Sequence, residues 1–147
     1  MFKAGFATQP ESIKRRDGLK LVDAVVTNIG RCAPPGNKPT TQELASCQPF
    51  FQQTLQLVDP IVILALGGLA WKQTVKSMVE LELLERPKKM PAFSHGACLK
   101  IDNDKVLIGS YHPSQQNTFT GRLTEAMLDE VFKAARHQIS KILKTVR

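Results

Sequence analysis

The sequence predicts an α/β fold built on a mostly parallel sheet. Three observations carry that reading. Apolar, strand-like runs occupy residues 21–29, 61–66 and 105–111; amphipathic segments separate and follow them; and a polar loop leaves the carboxyl end of each run. Strands that alternate with helices pair in parallel, because each crossover helix returns the chain to the same end of the sheet. Ligands of such sheets sit beyond the carboxyl ends of the strands, the side on which these loops gather.

Residues 1–18 are mixed and charged, with Lys14, Arg15 and Arg16 in succession, and read as a helix end and loop. LVDAVVTNI, residues 21–29, is nearly continuous and β-branched, as expected of a strand buried on both faces. The loop GRCAPPGNKP follows, stiffened by Pro34, Pro35 and Pro39. Thr40 and Glu43 then form a T-x-x-E capping box, which predicts a helix to about Val58. Pro49 inside it is expected to kink the helix or restart it near Cys47.

DPIVILALGG is the second strand, ending in the Gly67–Gly68 turn. A helix over 69–84 presents Trp71, Val75, Met78 and Val79 on one face. The segment PKKMP breaks the chain, and KVLIGSY is the third strand. Leu128, Val131, Phe132, Ala135, Ile139, Ile142 and Val146 mark one stripe of a C-terminal helix. Lys141, Lys144 and Arg147 in its last turns suit the helix dipole.

Composition bounds the function. A chain of 147 residues, 42% hydrophobic and 22% charged, is one ordinary globular domain over residues 1–147. Its net charge of +7 points to a polyanion or an acidic surface. Three cysteines, an odd number, argue against a secreted disulfide framework and for a reducing compartment. The longest apolar run, IVILALGGLAW, is too short to span a bilayer, so a soluble intracellular protein is expected.

The chemistry-bearing residues lie in the loops. In YHPSQQNTFTGR, residues 111–122, His112 directly follows a buried strand and precedes a proline. A neutral imidazole there can donate one hydrogen bond to a developing oxyanion, or it can brace loop carbonyls. His95 lies in the turn-like SHGA and His137 on an exposed helical face, which gives both weaker claims. Asn28 ends the first strand; its carboxamide can read the edge of a pyrimidine or cap its own turn. Cys32 and Cys47 are half an iron–sulfur or zinc site, or two unrelated buried thiols. Cys98, between Ala97 and Leu99, reads as a core thiol. Arg31 with Lys38, and Arg122 in TGR, set basic side chains beside glycine amides, a mixture that suits phosphate contact or plain solvation. The Gly67–Gly68 turn is either an anion site at a helix N-terminus or an ordinary strand–helix turn.

Taken in order and spacing, VVTNIGRCAPPGNKPTTQELASCQPF, IVILALGGLAW and GSYHPSQQNTFTGRLT resemble the uracil-DNA glycosylases of type b, the fifth family of that superfamily. The resemblance covers nearly the whole chain from about Phe2. It implies a three-layer α/β/α sandwich and a DNA repair enzyme that flips uracil, or another deaminated base, into a pocket at the strand ends. Carried onto this sequence, His112 faces O2 of the leaving base and Asn28 reads the pyrimidine edge. Ser114, Gln115, Gln116 and Asn117 form the loop pressed into the minor groove, with Arg31, Lys38 and Arg122 on the backbone. Cys32 and Cys47 are the last two of four ligands to a [4Fe–4S] cluster. A monomer acting on bacterial or archaeal DNA, cytoplasmic and associated with the nucleoid, is the implied setting.

Family members begin with a cysteine-containing segment, a first strand and a loop of the GLAPAAHGGNRTGR type that helps place water. The sequence from Met1 onward is therefore expected to correspond to the C-terminal two-thirds of the family domain, lacking a strand between residues 21–29 and 61–66. Two further expectations follow: a DNA-binding module without catalysis, or a truncated reading frame without function.

Overall fold

A computed structural model describes residues 1–102 and 105–145. The chain begins with a 3-10 turn at Phe2–Ala4 and runs irregularly to a second at Pro35–Asn37. Then come α1 (Thr41–Val58), β1 (Val62–Leu66), α2 (Gly68–Glu80), β2 (Cys98–Lys100), β3 (Val106–Ser110), α3 (Gln115–Phe119) and α4 (Glu125–Thr145). The sheet order is β1–β3–β2, with β1 parallel and β2 antiparallel to β3.

Val62 stands opposite Val106 and Leu66 opposite Ser110, so the two parallel strands start and stop together. Alternate side chains of a strand point to opposite faces, and both faces here are apolar. Val106 and Ile108, with Val62 and Leu64, pack on Phe6, Val131 and Ala135 of the α4 side. Leu107, with Ala65 and Ile63, packs on Trp71 and Val75 of α2. Helices on both faces of the sheet make three layers, and the expected α/β class with its parallel pair is present.

Local chemistry explains the helices. The Thr40 hydroxyl accepts from the Glu43 amide at 3.2 Å while the Glu43 carboxylate accepts from the Thr40 amide at 2.7 Å. Those bonds, the backbone one first and the Thr40 hydroxyl second, hold the Glu43 carboxyl below its ordinary range. The capping interaction is therefore complete above the usual carboxylate range and is lost as pH falls through the lowered value. Asp59 ends α1 in the left-handed region, φ 45°, its amide donating to the Leu55 carbonyl. On α4, Arg136 stacks over the Phe6 ring at 3.9 Å and donates to the Ala4 and Gly5 carbonyls. This clamp fastens the first turn of the chain to the last helix.

Four expectations are corrected. Residues 21–29 form no strand: Asp23 takes φ 52°, which interrupts an extended run, and its carboxylate pairs with Arg136. Among the described residues its β-pairing is an isolated bridge between Ala7 and Leu21, and Val25 and Val26 are 60% and 67% exposed. Among the described residues, β1 pairs on one edge alone. Of the two outcomes expected of Pro49, a kink or a restart near Cys47, the restart does not occur, since α1 is one element over Thr41–Val58. The helix expected over 69–84 stops at Glu80. Cys98 is exposed on β2, a strand the sequence reading did not anticipate, because its side chain points away from the Leu99 face that packs on α2. Val146 and Arg147 lie outside the described residues.

Leu107 is fully buried against α2 and has no solvent route to relax into. Leu107→Ala is expected to cost about 2–5 kcal/mol, the range for a core leucine truncated to a cavity. Urea unfolding followed by far-UV circular dichroism measures it; a loss under about 1 kcal/mol would show that this core is not close-packed.

Candidate functional site

Because β1 and β3 end in register, the chain leaves both strands at the same level. The Gly67 amide donates to the Ser110 carbonyl at 2.7 Å, extending the ladder by one bond past β1. Gly67 has φ 99° and ψ 156°, a conformation essentially reserved for glycine. A Cβ placed there would also meet the Cβ of His112 at 3.3 Å. The torsion therefore calls for glycine beneath His112, and the tight approach to the His112 side chain adds to that preference.

His112 is exposed at the start of the loop that leads into α3. Its carbonyl accepts from the Asn117 carboxamide at 2.8 Å, and the Ser114 amide also donates to it at 2.8 Å. Ser114 caps α3, its hydroxyl accepting from the Asn117 amide. Ser114 and Asn117 thus spend polar atoms on shaping the loop, whereas Gln115 and Gln116 stand exposed. Phe119 closes the helix and is 84% exposed. Arg122 lies over the Tyr111 ring at 4.8 Å, which holds a cation beside the histidine loop.

Sequence reasoning undervalued the other wall of this site. His95, carried next to β3 by the β2 hairpin, approaches both the Tyr111 amide and the Ser110 hydroxyl through Nδ1. Phe93 meets Tyr111 edge-on at 6.2 Å and Trp71 at 6.1 Å, tying the site to the α2 core. The missed signal was the antiparallel hairpin itself: once Cys98 is opposite Ile108, residue 95 must fall beside the exit of β3.

A second cluster surrounds the proline-rich loop. Cys32 and Cys47 line one cavity of about 180 Å³ together with Gly30, Pro34, Pro39 and Glu43. The Arg31 amide donates to the Cys47 sulfur at 3.4 Å, and the Arg31 guanidinium lies over Phe50 at 5.2 Å. Cys32 and Cys47 thus line the same cavity. Cys98 is on β2 and does not line that cavity, and no group of three or more His, Cys, Asp or Glu gathers among the described residues. Two thiolates do not fit a complete [4Fe–4S] cluster, which takes four. Lys38 is exposed at the rim of the loop. Asn28 is exposed in the segment without strand pairing, and among the described residues no hydrogen bond ties it to the His112 loop. The site residues thus fall into a histidine loop at the sheet end and a thiol cavity at α1.

Replacing Gly67 by alanine tests the first cluster. The left-handed strain and the 3.3 Å approach to His112 should together cost about 1–3 kcal/mol in urea unfolding. An unchanged midpoint would mean that the turn relaxes freely and does not fix His112.

Comparison with known proteins places these features. Residues 1–136 match the profile of the Uracil DNA glycosylase superfamily. A type-5 uracil-DNA glycosylase of Mycobacterium leprae is 42% identical over 138 residues, covering 92% of this chain and 58% of that protein. Its counterpart in Mycobacterium bovis is 41% identical over 141 residues, 92% of this chain and 50% of the relative. That of Pyrobaculum aerophilum is 35% identical over 135 residues, with 92% and 56% covered. The chain spans about half the length of the curated relatives it matches.

Proposed function

The chain belongs to the uracil DNA glycosylase superfamily, and from that premise we propose that it hydrolyses the N-glycosidic bond of uracil in DNA. The observation that carries this reading is the YHPSQQNTFTGR loop, which leaves the end of the parallel pair with His112 exposed above Gly67. Other deaminated bases are candidate substrates of the same pocket.

In the proposed reaction the bond between the sugar C1′ and the base nitrogen breaks, and its electron pair leaves with uracil. Positive charge builds on the sugar and negative charge on the base before water adds to C1′, an O–H bond of the water breaking and its proton passing by way of solvent to the uracil anion. His112 donates a hydrogen bond to the uracil oxygen on which that negative charge accumulates. The bond is unreachable inside a duplex, so the nucleotide must be extruded. Gln115 and Gln116, exposed on α3, hold the opened stack, with Ser114 and Asn117 shaping the loop behind them. Asn28 recognises the pyrimidine edge by accepting from N3–H and donating to O4, a pattern that cytosine reverses. Arg31, Lys38 and Arg122 contact phosphates. No step passes through Cys32 or Cys47. No helix among the described residues is long and apolar enough to cross a membrane. A monomer working on cytoplasmic DNA completes the reading.

A second reading, a DNA-binding module without catalysis, draws on Asn28 lying outside any strand among the described residues. The two readings separate on a duplex with one deoxyuridine, assayed for abasic sites under single-turnover conditions. Excision is expected, and His112→Ala should slow it by about 10²–10³-fold, the scale of one oxyanion donor. DNA affinity should change little, because the donor acts on charge that appears only in the transition state. Parental rates in the variant would reduce His112 to a loop brace; DNA binding without excision by the parent would favour the second reading.

Binding itself is expected to be electrostatic. With a net charge of +7, affinity should fall with salt at a log–log slope of about −0.9 per phosphate neutralised. Arg122→Ala should lower the magnitude of that slope by about one. Fluorescence anisotropy at several salt concentrations measures it, and salt-independent or absent binding would remove the nucleic-acid reading.

A further inference from the structure

We propose that His95 is the positioning residue of the His112 loop, holding it through an Nδ1 that accepts the Tyr111 amide. The effect on catalysis rests on the glycosylase reading above, whereas the hydrogen bond and tautomer do not. Nδ1 of His95 lies 3.3 Å from the Tyr111 nitrogen and 3.4 Å from the Ser110 hydroxyl. A peptide N–H donates and never accepts, so Nδ1 must carry the lone pair and the ring proton must sit on Nε2. The Ser110 hydroxyl has its own acceptor in the Tyr111 carbonyl at 3.0 Å, which leaves Nδ1 free for the amide.

The location makes this bond consequential. The β3 strand ends at Ser110, so the Tyr111 amide is the first past the ladder, with no strand partner among the described residues. His95 supplies one, and the next residue along the chain is His112. The His95 ring also stacks against Tyr111, centroids 5.3 Å apart and planes 39° from parallel. Tyr111 is held from its other sides by Phe93 and by the Arg122 guanidinium.

His95 is itself rigidly placed. The Gly96 amide donates to the Gly109 carbonyl and the Gly109 amide to the Ala97 carbonyl, both at 2.8 Å. Gly109 leaves room for this contact, since a Cβ there would lie 2.8 Å from the Ser94 carbonyl oxygen. His112 is thus braced before it by His95, after it by the Asn117 carboxamide on its carbonyl, and beneath it by Gly67. Loss of the first brace lets the imidazole wander while the DNA-facing residues of α3 stay in place. The rate of the chemical step should then fall without a matching loss of DNA affinity.

Two variants separate the acceptor from the ring. His95→Phe keeps a ring on Tyr111 and removes the acceptor; His95→Asn keeps an acceptor at the position of Nδ1. In His95→Phe the Tyr111 amide should exchange with solvent about tenfold faster. Uracil excision should slow by about 10²-fold with the dissociation constant for a deoxyuridine duplex unchanged. His95→Asn should restore most of both. In the parental protein, long-range ¹H–¹⁵N correlation should show the His95 proton on Nε2. A proton on Nδ1, an unaltered Tyr111 exchange rate in His95→Phe, or equal damage in His95→Asn and His95→Phe would overturn the proposal. If His95→Phe fails to fold, the parental tautomer and the His95→Asn exchange rate decide the matter. A parental chain that excises no uracil removes the glycosylase reading, while exchange and tautomer still judge His95.

Discussion

The parallel ladder between Val62–Leu66 and Val106–Ser110 is the constraint on which the rest of the molecule depends. Its register sets which side chains face α4 and which face α2, and it brings both strand exits to one level. A slip of one residue would exchange the two faces, turning Leu107 toward α4 and Val106 and Ile108 toward α2. It would also separate Gly67 from Ser110 and move His112 off the glycine beneath it. The same ladder therefore specifies the core and the site. The Gly67 amide, bonded to the Ser110 carbonyl, belongs to both.

Much of this frame was legible in the chain. The runs at 61–66 and 105–111 are continuous and apolar because each strand is covered on both faces. The Thr40–Glu43 box marked the start of α1 because capping is a local interaction, written within four residues. Residues 21–29 have the same apolar character and form no strand, since a strand is defined by its partner. Composition reports a preference for extended backbone, and Asp23 in the left-handed region interrupts it. β2 went unread for the converse reason: three residues of alternating exposure carry almost no hydrophobic signal, and their pairing with β3 determines them.

The site divides along the same line. His112 stood out because its neighbours in sequence are its neighbours in space, a loop directly after a buried strand. The pairing of Cys32 with Cys47 in one cavity was compatible with their spacing, which by itself left unrelated thiols open. His95 gave no local signal. Its importance comes from a hairpin that sets residue 95 beside residue 111, a relation that turn-like SHGA does not express. Cys98 was misassigned for a related reason, because apolar neighbours in sequence do not show which face of a short strand a thiol occupies.

The most direct measurement of the ladder's role is native-state hydrogen exchange of the Gly67 amide, read together with the nuclear Overhauser effect between Gly67 Hα and the His112 side chain. Exchange in the slowest class, with the amides of β3, and a clear cross-peak to His112 are the expected results. Exchange as fast as that of Val25 and Val26, with no cross-peak, would contradict the claim that one register builds both the core and the site.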